Sequence, residues 1–239
     1  MRLLAGSTAA AAAAYAVCAG LTWWRYGHVV PPNRPEQVDA LLDRFMPVYE
    51  AVERHSRRVA APAEIALASA CELDLSQSII VQSLFKTRAW FLGTSSKRAP
   101  EAQGLFVQMK RLGWRILAEV PGREIVFGAV TQPWMAEVIF HGVPPAEFAA
   151  FDQPDFVKIA WTLRADPVGP AESIIRTETR VTTTDFSTRS KFRKYWSLIF
   201  PGVALIRLVL MSMAKRDAEA RVRASWPDRA KLASPHTET

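Results

Sequence analysis

The pattern of apolar and polar residues divides the chain into two long apolar segments with a mixed region between them. The first apolar run extends from Leu3 to Trp24 without a charge and is bounded by Arg2 and Arg25. As a helix this run would be ~33 Å long, enough to cross a hydrocarbon core of ~30 Å. The pattern therefore predicts a single-pass membrane anchor over residues 1–26.

Two other interpretations of this N-terminal run stay open. Residues 14–16 read Ala-Tyr-Ala and resemble a signal-peptidase site, although the apolar run continues past them and so favours retention. The second alternative interpretation is an Ala-rich arm that is either buried or disordered. A lipoprotein site at Cys18 is disfavoured because Val17 stands where a small residue is needed. More arginines follow the run than precede it, which slightly favours a domain on the cytoplasmic face.

The second apolar segment, residues 191–216, has the period of a helix with one continuous apolar face. That face consists of Phe192, Trp196, Ile199, Val203, Ile206, Leu210 and Met213. A second membrane span at 195–214 would have to bury Arg207, which costs ~2.5–3.5 kcal/mol at the centre of a bilayer. The sequence favours a long helix of a folded domain, with Arg207 off its apolar face and a kink or break at Pro201-Gly202.

The region between the two segments begins with helical patterns and one strand. Residues 27–45 are predicted to be a proline-rich linker followed by a short helix. Residues 48–59 have the composition of an edge strand with one wet face. Helices are predicted over 61–73 and 77–93, and the second ends at a glycine.

Antiparallel strands are predicted next. Residues 113–120 and 123–130 flank a Pro-Gly turn and form a hairpin. Residues 156–166 and 172–181 alternate cleanly between apolar and polar positions around a second turn. A further strand is expected at 135–142.

The order of elements then resembles a known superfamily. The stretches "VERHSRRVAAPAEI" (52–65), "GWRILAEVPGREIVFGAV" (113–130) and "TETRVTTTDFSTRSKFRKYW" (177–196) look like the START-like superfamily, also called SRPBCC. The similarity covers roughly residues 46–215. It implies an α+β helix-grip fold, in which a curved antiparallel β-sheet wraps around a long C-terminal α-helix and leaves an apolar cavity between them.

This resemblance defines the expected domain organisation and ligand site. The ligand-binding domain should occupy residues 46–216, and residues 217–239 should form a polar, disordered tail. Asp185 or Ser187 is expected to cap the long helix. The cavity lining is predicted to include Trp114, Ile116, Phe127, Ile159, Trp161, Thr177, Thr179, Trp196 and Ile199, although any one of the apolar residues could simply fill the core.

Composition and charge narrow the class of partner. The 239 residues are 49% hydrophobic and carry a formal charge of +7, which favours contact with anionic lipid headgroups or nucleic acid. The basic run from Arg189 to Lys194 could meet lipid headgroups, although such a run is usually a solvated face. The sequence contains no phosphate-binding loop, zinc-protease motif or nucleic-acid-binding arrangement. Neither a metal nor another cofactor is expected, and Cys18 and Cys71 fit no disulfide or metal spacing.

The leading hypothesis is a membrane-tethered domain that binds a hydrophobic small molecule or lipid without catalysis. An enzyme of the cyclase or hydrolase type, with polar residues in the same cavity, is the alternative. Its best candidates are Arg176, Glu178 and Arg180, for which a surface ion pair is the favoured interpretation. His55 and His141 lack a catalytic partner at a recognisable spacing. A structural membrane protein with two spans is the third possibility.

Overall fold

The chain is α+β, and its curved sheet of six antiparallel strands packs against a long C-terminal helix. The computed structural model describes residues 2–74, 104–135 and 137–232. The strands are β1 (Ala51–Val59), β2 (Arg115–Val120), β3 (Glu124–Thr131), β4 (Phe140–His141), β5 (Val157–Gly169) and β6 (Glu172–Thr183). The helices are α1 (Arg2–Arg25), α2 (Ala40–Asp43), α3 (Ala63–Cys71), α4 (Leu105–Arg111), α5 (Pro145–Phe148) and α6 (Phe186–Leu232), with a 3₁₀ turn at Pro35–Gln37.

The strand order across the sheet is β1-β6-β5-β3-β2, and β4 pairs with the end of β3. Consecutive strands β2–β3 and β5–β6 are hairpins, as their alternating patterns predict. The N-terminal strand β1 lies at one edge of the sheet beside β6, which confirms the predicted edge strand. The predicted α+β architecture, an antiparallel sheet packed against a long C-terminal helix, is thus confirmed.

The long helix α6 begins where the sequence predicts a cap. The amide of Thr188 donates to Asp185 Oδ1 over 2.8 Å, and the Thr188 hydroxyl donates to the other carboxylate oxygen. These hydrogen bonds lower the pKa of Asp185 to about 2. Asp185, the first of the two predicted capping residues, is therefore the N-terminal cap.

One side of the sheet is covered by α6 together with α3. Phe192 and Trp196, near the start of α6, pack into a cluster with Val157 and Val181. About four turns beyond Trp196, Met211 joins a larger cluster on the same side of the sheet. That cluster contains Val59, Leu67, Ile125, Phe127, Trp161, Leu163 and Ile175. Helix α6 therefore runs across this side of the sheet from the first cluster to the second.

The opposite side of the sheet is covered by the segment that precedes β1. Leu42, Phe45 and Met46 pack there against Val126 and Ala160. Asp39 caps α2 by accepting a hydrogen bond from the amide of Leu42 over 2.8 Å. Residues 39–46, which include the predicted short helix, therefore cover part of this side of the sheet.

Three local predictions need correction. Helix α6 continues through Pro201-Gly202, so the predicted break is absent, because both halves pack against one sheet and this packing offsets the hydrogen bond that proline removes. The tail predicted from residue 217 is helical as far as Leu232, and Ala218 is buried. The strand expected at 135–142 is reduced to β4. The predicted helix 77–93 lies outside the described residues.

Candidate ligand-binding site

The residues predicted to line a cavity lie at the interface between the sheet and α6. Phe127 and Trp161 are buried in the larger cluster, with Trp114 and Ile116 partly buried against it. Ile159 and Trp196 lie in the cluster at the start of α6. The remaining three are Thr177, Thr179 and Ile199, of which both threonines are buried and Ile199 is partly buried.

Aromatic rings form one wall of this interface. Phe127 and Trp161 face each other across neighbouring strands and stack with ring centroids 4.7 Å apart. Trp114 meets Trp161 edge-on at 6.5 Å. Stacked and edge-on pairs at these distances give a rigid apolar surface, which suits a flat or branched hydrocarbon.

A positive charge projects from α6 onto this wall. The Arg207 guanidinium donates to Thr179 Oγ1 over 3.0 Å, and its central carbon lies 4.9 Å from the centre of the Trp161 ring. The expectation that Arg207 lies off the apolar face is therefore wrong. Its guanidinium is held by a hydroxyl and an aromatic face, so the long side chain can cover apolar surface while its head is hydrogen-bonded.

Two residues of β1 complete a polar cluster beside Arg207. The strand register places Glu53 opposite Thr179 and His55 opposite Thr177, so all four side chains lie on the side of the sheet that α6 covers. His55 Nε2 donates to Glu53 Oε1 over 2.7 Å. We name Glu53, His55, Thr177, Thr179 and Arg207 the polar cluster.

Sequence reasoning found the threonines of the polar cluster and missed its charged members. The signal available was position parity, because Glu53 and His55 alternate in step with the buried residues Ala51 and Val59. An edge strand with two ionisable residues in that register can be assigned to its inner side only after its partner strand is known.

Two buried oxygens of the polar cluster lack a hydrogen-bond partner within the described part of the chain. These are Glu53 Oε2 and Thr177 Oγ1. Glu53 is 6% exposed and Thr177 is 4% exposed. Buried polar atoms are normally paired, and leaving one unpaired costs about 1–3 kcal/mol, more when the group is charged. The polar cluster therefore has unused acceptor capacity at a place that is otherwise apolar.

Two positions of the sheet–helix interface are only partly buried. Ile159, the third residue of β5, is one of them, whereas Val157 and Trp161 on the same strand face are buried. Val203 lies on the sheet-facing side of α6, seven residues after Trp196 and four before Arg207, and is also only partly buried. Both positions therefore keep some apolar surface that is not covered by the described residues.

The opposite side of the sheet has a different character. Arg180 is 1% exposed and donates to Glu178, to Asp43 and to the carbonyl of Met46. Glu178 also accepts two hydrogen bonds from Arg54, at 2.8 and 3.0 Å. Arg176, the third predicted residue, pairs with Asp166 at 2.7 Å. The favoured interpretation of these residues as a surface ion pair is therefore wrong, because the segment before β1 covers Glu178 and Arg180 and buries both.

A carboxyl with a raised pKa belongs to the same side. Glu124 accepts a hydrogen bond from Thr162 over 3.1 Å and is 7% exposed. Burial and the neighbouring Asp39 raise the pKa of Glu124 to about 7. Two open grooves of about 390 and 340 Å³ border this region, and both include Val38 and Arg164. This side of the sheet has paired charges and open surface.

No group of three potential metal ligands among His, Cys, Asp and Glu occurs within residues 2–74, 104–135 and 137–232. His141 is exposed on β4 and lies edge-on to Phe156 at 6.1 Å. His55 is the only one of the two predicted histidines that lies in the polar cluster.

Comparison with known proteins gives structural matches alone. No protein-family model matches the chain, and no curated protein sequence matches it significantly. Solved structures similar to it include the Zhui aromatase/cyclase from Streptomyces sp. R1128, at 12% identity and a TM-score of 0.29 over 73% of this chain and 97% of that one. Norcoclaurine synthase from Thalictrum flavum, solved with dopamine and hydroxybenzaldehyde, matches at 12% identity and a TM-score of 0.28, over 82% and 96%.

A third similar structure is CalU16 from Micromonospora echinospora, at 13% identity and a TM-score of 0.24 over 71% of this chain and 95% of that one. Identities and TM-scores this low carry no information about the ligand of this chain.

Proposed function

We propose that this protein binds a hydrophobic small molecule or lipid between its sheet and helix α6, and that its N-terminal helix keeps the binding domain at a membrane. The observation that carries the ligand-binding part of the proposal is the incomplete burial of Ile159 and Val203, which lie on the sides of the sheet and of α6 that face each other. Apolar surface left open there would be buried by a ligand, at ~25 cal/mol per Å².

The aromatic wall supports the same proposal. Trp114 and Ile116 lie beside the fully buried Trp161 but stay partly exposed themselves. A site of this kind, mostly apolar with a few convergent polar groups, is the usual form of a small-molecule pocket. The predicted lining residues therefore remain the proposed ligand contacts, with Arg207, Glu53 and His55 added.

The experiment is purification of the full chain from several lipid-containing hosts, followed by mass spectrometry of the molecules that copurify. Val203→Trp should fill the space next to Arg207 and lower the amount of copurified apolar molecule several-fold. Leu205→Trp is the matched control, because Leu205 lies on the outer face of the same helix and is 45% exposed. Absence of any copurified apolar molecule from every host, or equal amounts with both variants, would refute the proposal.

The proposal that the protein is held at a membrane rests on the packing of α1 against α6. The Tyr15 hydroxyl donates to the carbonyl of Leu198, and Arg193 donates to the carbonyl of Trp23 over 3.0 Å. Trp23, near the end of α1, contacts Arg193, whereas the earlier Tyr15 contacts the later Leu198. The two helices are therefore antiparallel neighbours. Within the described residues one helix, Phe186–Ser225, is long and apolar enough by length and composition to cross a membrane.

Both helices present apolar residues to the outside. On α1 these are Val17, Leu21 and Trp24, which are 63%, 48% and 67% exposed and share one face by their spacing. On α6 the corresponding outer residues are Leu198, Leu205 and Leu208. Contiguous exposed apolar surface of this kind indicates an interaction site.

Basic residues lie beside the aromatic end of this apolar surface. Arg25 and Lys194 are exposed there, and the Arg193 guanidinium lies 4.3 Å from the centre of the Trp23 ring. Tryptophan next to Arg and Lys is the arrangement found at the headgroup level of a bilayer, where each basic residue contributes about 1 kcal/mol with anionic lipid. We infer that α1 tethers the domain and that the outer face of α6 lies close to the same bilayer.

Membrane fractions washed with alkaline carbonate test the tether. The full chain should stay with the membrane, and Val17→Lys with Leu21→Lys should release it into the supernatant. Val107→Lys with Val168→Lys is the matched control, because both valines are exposed and lie on α4 and β5. Retention of the first double variant at the level of the control would exclude this surface as the tether.

A further inference from the structure

We propose that the ligand bound between the sheet and α6 carries a neutral hydroxyl group, and that the polar cluster recognises it. This inference rests on the proposed function and specifies the ligand class of the same site. It follows from which hydrogen-bonding atoms of the polar cluster are already used and which are free.

The free atoms are acceptors. Glu53 uses Oε1 to accept from His55, which leaves Oε2 buried without a partner among the described residues. Thr177 Oγ1 is likewise buried and unpartnered there. A carboxylate oxygen can only accept, and a threonine hydroxyl can accept or donate. A ligand that satisfies both atoms must therefore offer at least one hydrogen-bond donor.

The charges of the polar cluster limit what that donor can be. Glu53 and Arg207 carry opposite charges, and the charge of Glu53 acts on Arg207, so a ligand charge of either sign would repel one of the two. A ligand carboxylate would place a second negative charge next to Glu53 in an apolar surrounding, which is costly. A ligand ammonium would meet Arg207 in the same way. A neutral donor avoids both costs.

A hydroxyl group fits both members of the pair at once. It donates one hydrogen bond, which Glu53 Oε2 can accept, and it accepts from the guanidinium of Arg207 or from Thr177. Its hydrocarbon part would then lie against Trp161 and Ile159, which are on the same side of the sheet. A hydrogen bond to a charged group is stronger than one between neutral groups, so Glu53 should dominate the recognition.

Three probes that differ in one substituent test this inference. They are 2-naphthol, 2-methoxynaphthalene and 2-naphthoate, which share a flat apolar ring and carry a hydroxyl, a methyl ether or a carboxylate. Binding is measured by equilibrium dialysis against the full chain in lipid nanodiscs, with empty nanodiscs subtracted. We expect 2-naphthol to bind about tenfold more tightly than either of the other two.

Two variants locate the preference in the polar cluster. Glu53→Gln and Thr177→Val should each reduce the preference for 2-naphthol over 2-methoxynaphthalene while leaving the binding of the ether within about twofold of wild type. Thr162→Val is the matched control, because Thr162 is buried on the other side of the sheet and should leave the preference unchanged.

The outcomes separate this inference from the function on which it rests. Equal binding of all three probes, or tighter binding of 2-naphthoate, would overturn hydroxyl recognition and leave apolar binding intact. A preference for 2-naphthol that persists in both polar-cluster variants would overturn the assignment to Glu53 and Thr177. Failure of all three probes to bind would count against the proposed function itself.

Discussion

The two sides of the sheet both bury charged residues, but they treat them differently. On the side covered by the segment before β1, Arg180 makes hydrogen bonds to two carboxylates and a backbone carbonyl. On the side covered by α6, Glu53 and Thr177 each keep a buried oxygen without a partner in the described residues. The same sheet therefore carries a satisfied network on one side and an unsatisfied polar cluster on the other.

This difference distinguishes structural from functional polarity. A buried network in which each charge is paired fixes the position of the elements it joins, here α2 and the sheet. A buried acceptor with no partner makes the fold less stable, and it persists where a ligand supplies the missing hydrogen bond. On this criterion the site is on the α6 side, although the charges on the other side are more numerous.

The largest expected effect comes from breaking the satisfied network. Arg180→Met removes the guanidinium and leaves the buried Glu178 with Arg54 as its one remaining cationic partner among those described. Losing one member of a buried ion pair costs about 3–5 kcal/mol. Urea denaturation followed by tryptophan fluorescence should show this loss in the free energy of unfolding.

Arg58→Met is the matched control for that measurement. Arg58 pairs with Glu172 in solvent, so its removal should leave the urea midpoint nearly unchanged. If Arg180→Met were as stable as wild type, the network would not hold the segment before β1 on the sheet, and the contrast between the two sides would fail.

A smaller, pH-dependent effect is expected from Glu124. Burial and Asp39 raise its pKa to about 7 in the folded protein, above the value of about 4.3 for a free glutamate. Between these two values the unfolded chain releases the proton before the folded one does, so stability falls as pH rises through this window. The wild type should lose about 1–3 kcal/mol between pH 4.5 and 7 relative to Glu124→Gln, which lacks the titrating group.

Urea titrations at several pH values measure this difference. Glu147→Gln, at an exposed position on α5, should keep the pH profile of the wild type. Parallel profiles for wild type and Glu124→Gln would mean that Glu124 is ionised in the folded protein at neutral pH, and that this side of the sheet is more open to water than its burial indicates.

The fold was largely predictable because periodicity reports directly on which residues are buried. The hairpins β2–β3 and β5–β6, the edge position of β1 and the cap at Asp185 all follow from local patterns. The continuation of α6 through Pro201-Gly202 did not, because packing of both halves against one sheet outweighs a local helix-breaking signal.

The candidate site was predictable in its apolar residues and its two threonines, but not in Glu53 and Arg207. The alternation of inward and outward positions along the strands predicts that Trp161 and Phe127 point inward, and it predicts the same for the threonines of β6. Glu53 and Arg207 come from an edge strand and a helix far apart in the chain, and each looks like a solvent-facing charge in its own segment. Their placement next to the same residue, Thr179, depends on the register of β1 with β6 and on the rotation of α6, neither of which a local pattern encodes.

The smallest expected effect is the most informative about the comparison. Thr177→Val replaces a buried, unpartnered hydroxyl with a methyl group of the same shape, so it should raise the free energy of unfolding by up to about 1 kcal/mol. Thr162→Val makes the same exchange on the other side, where the hydroxyl donates to Glu124, and should lower it by about 1 kcal/mol. Urea denaturation of both variants in the absence of ligand measures the difference in sign. If Thr177→Val is more stable than wild type and also loses the preference for 2-naphthol, the Thr177 hydroxyl is kept at the expense of stability. A residue that served only the core would not show this combination. If both variants lost stability equally, the Thr177 hydroxyl would have a partner inside the protein, and the polar cluster would be as fully paired as the network around Arg180.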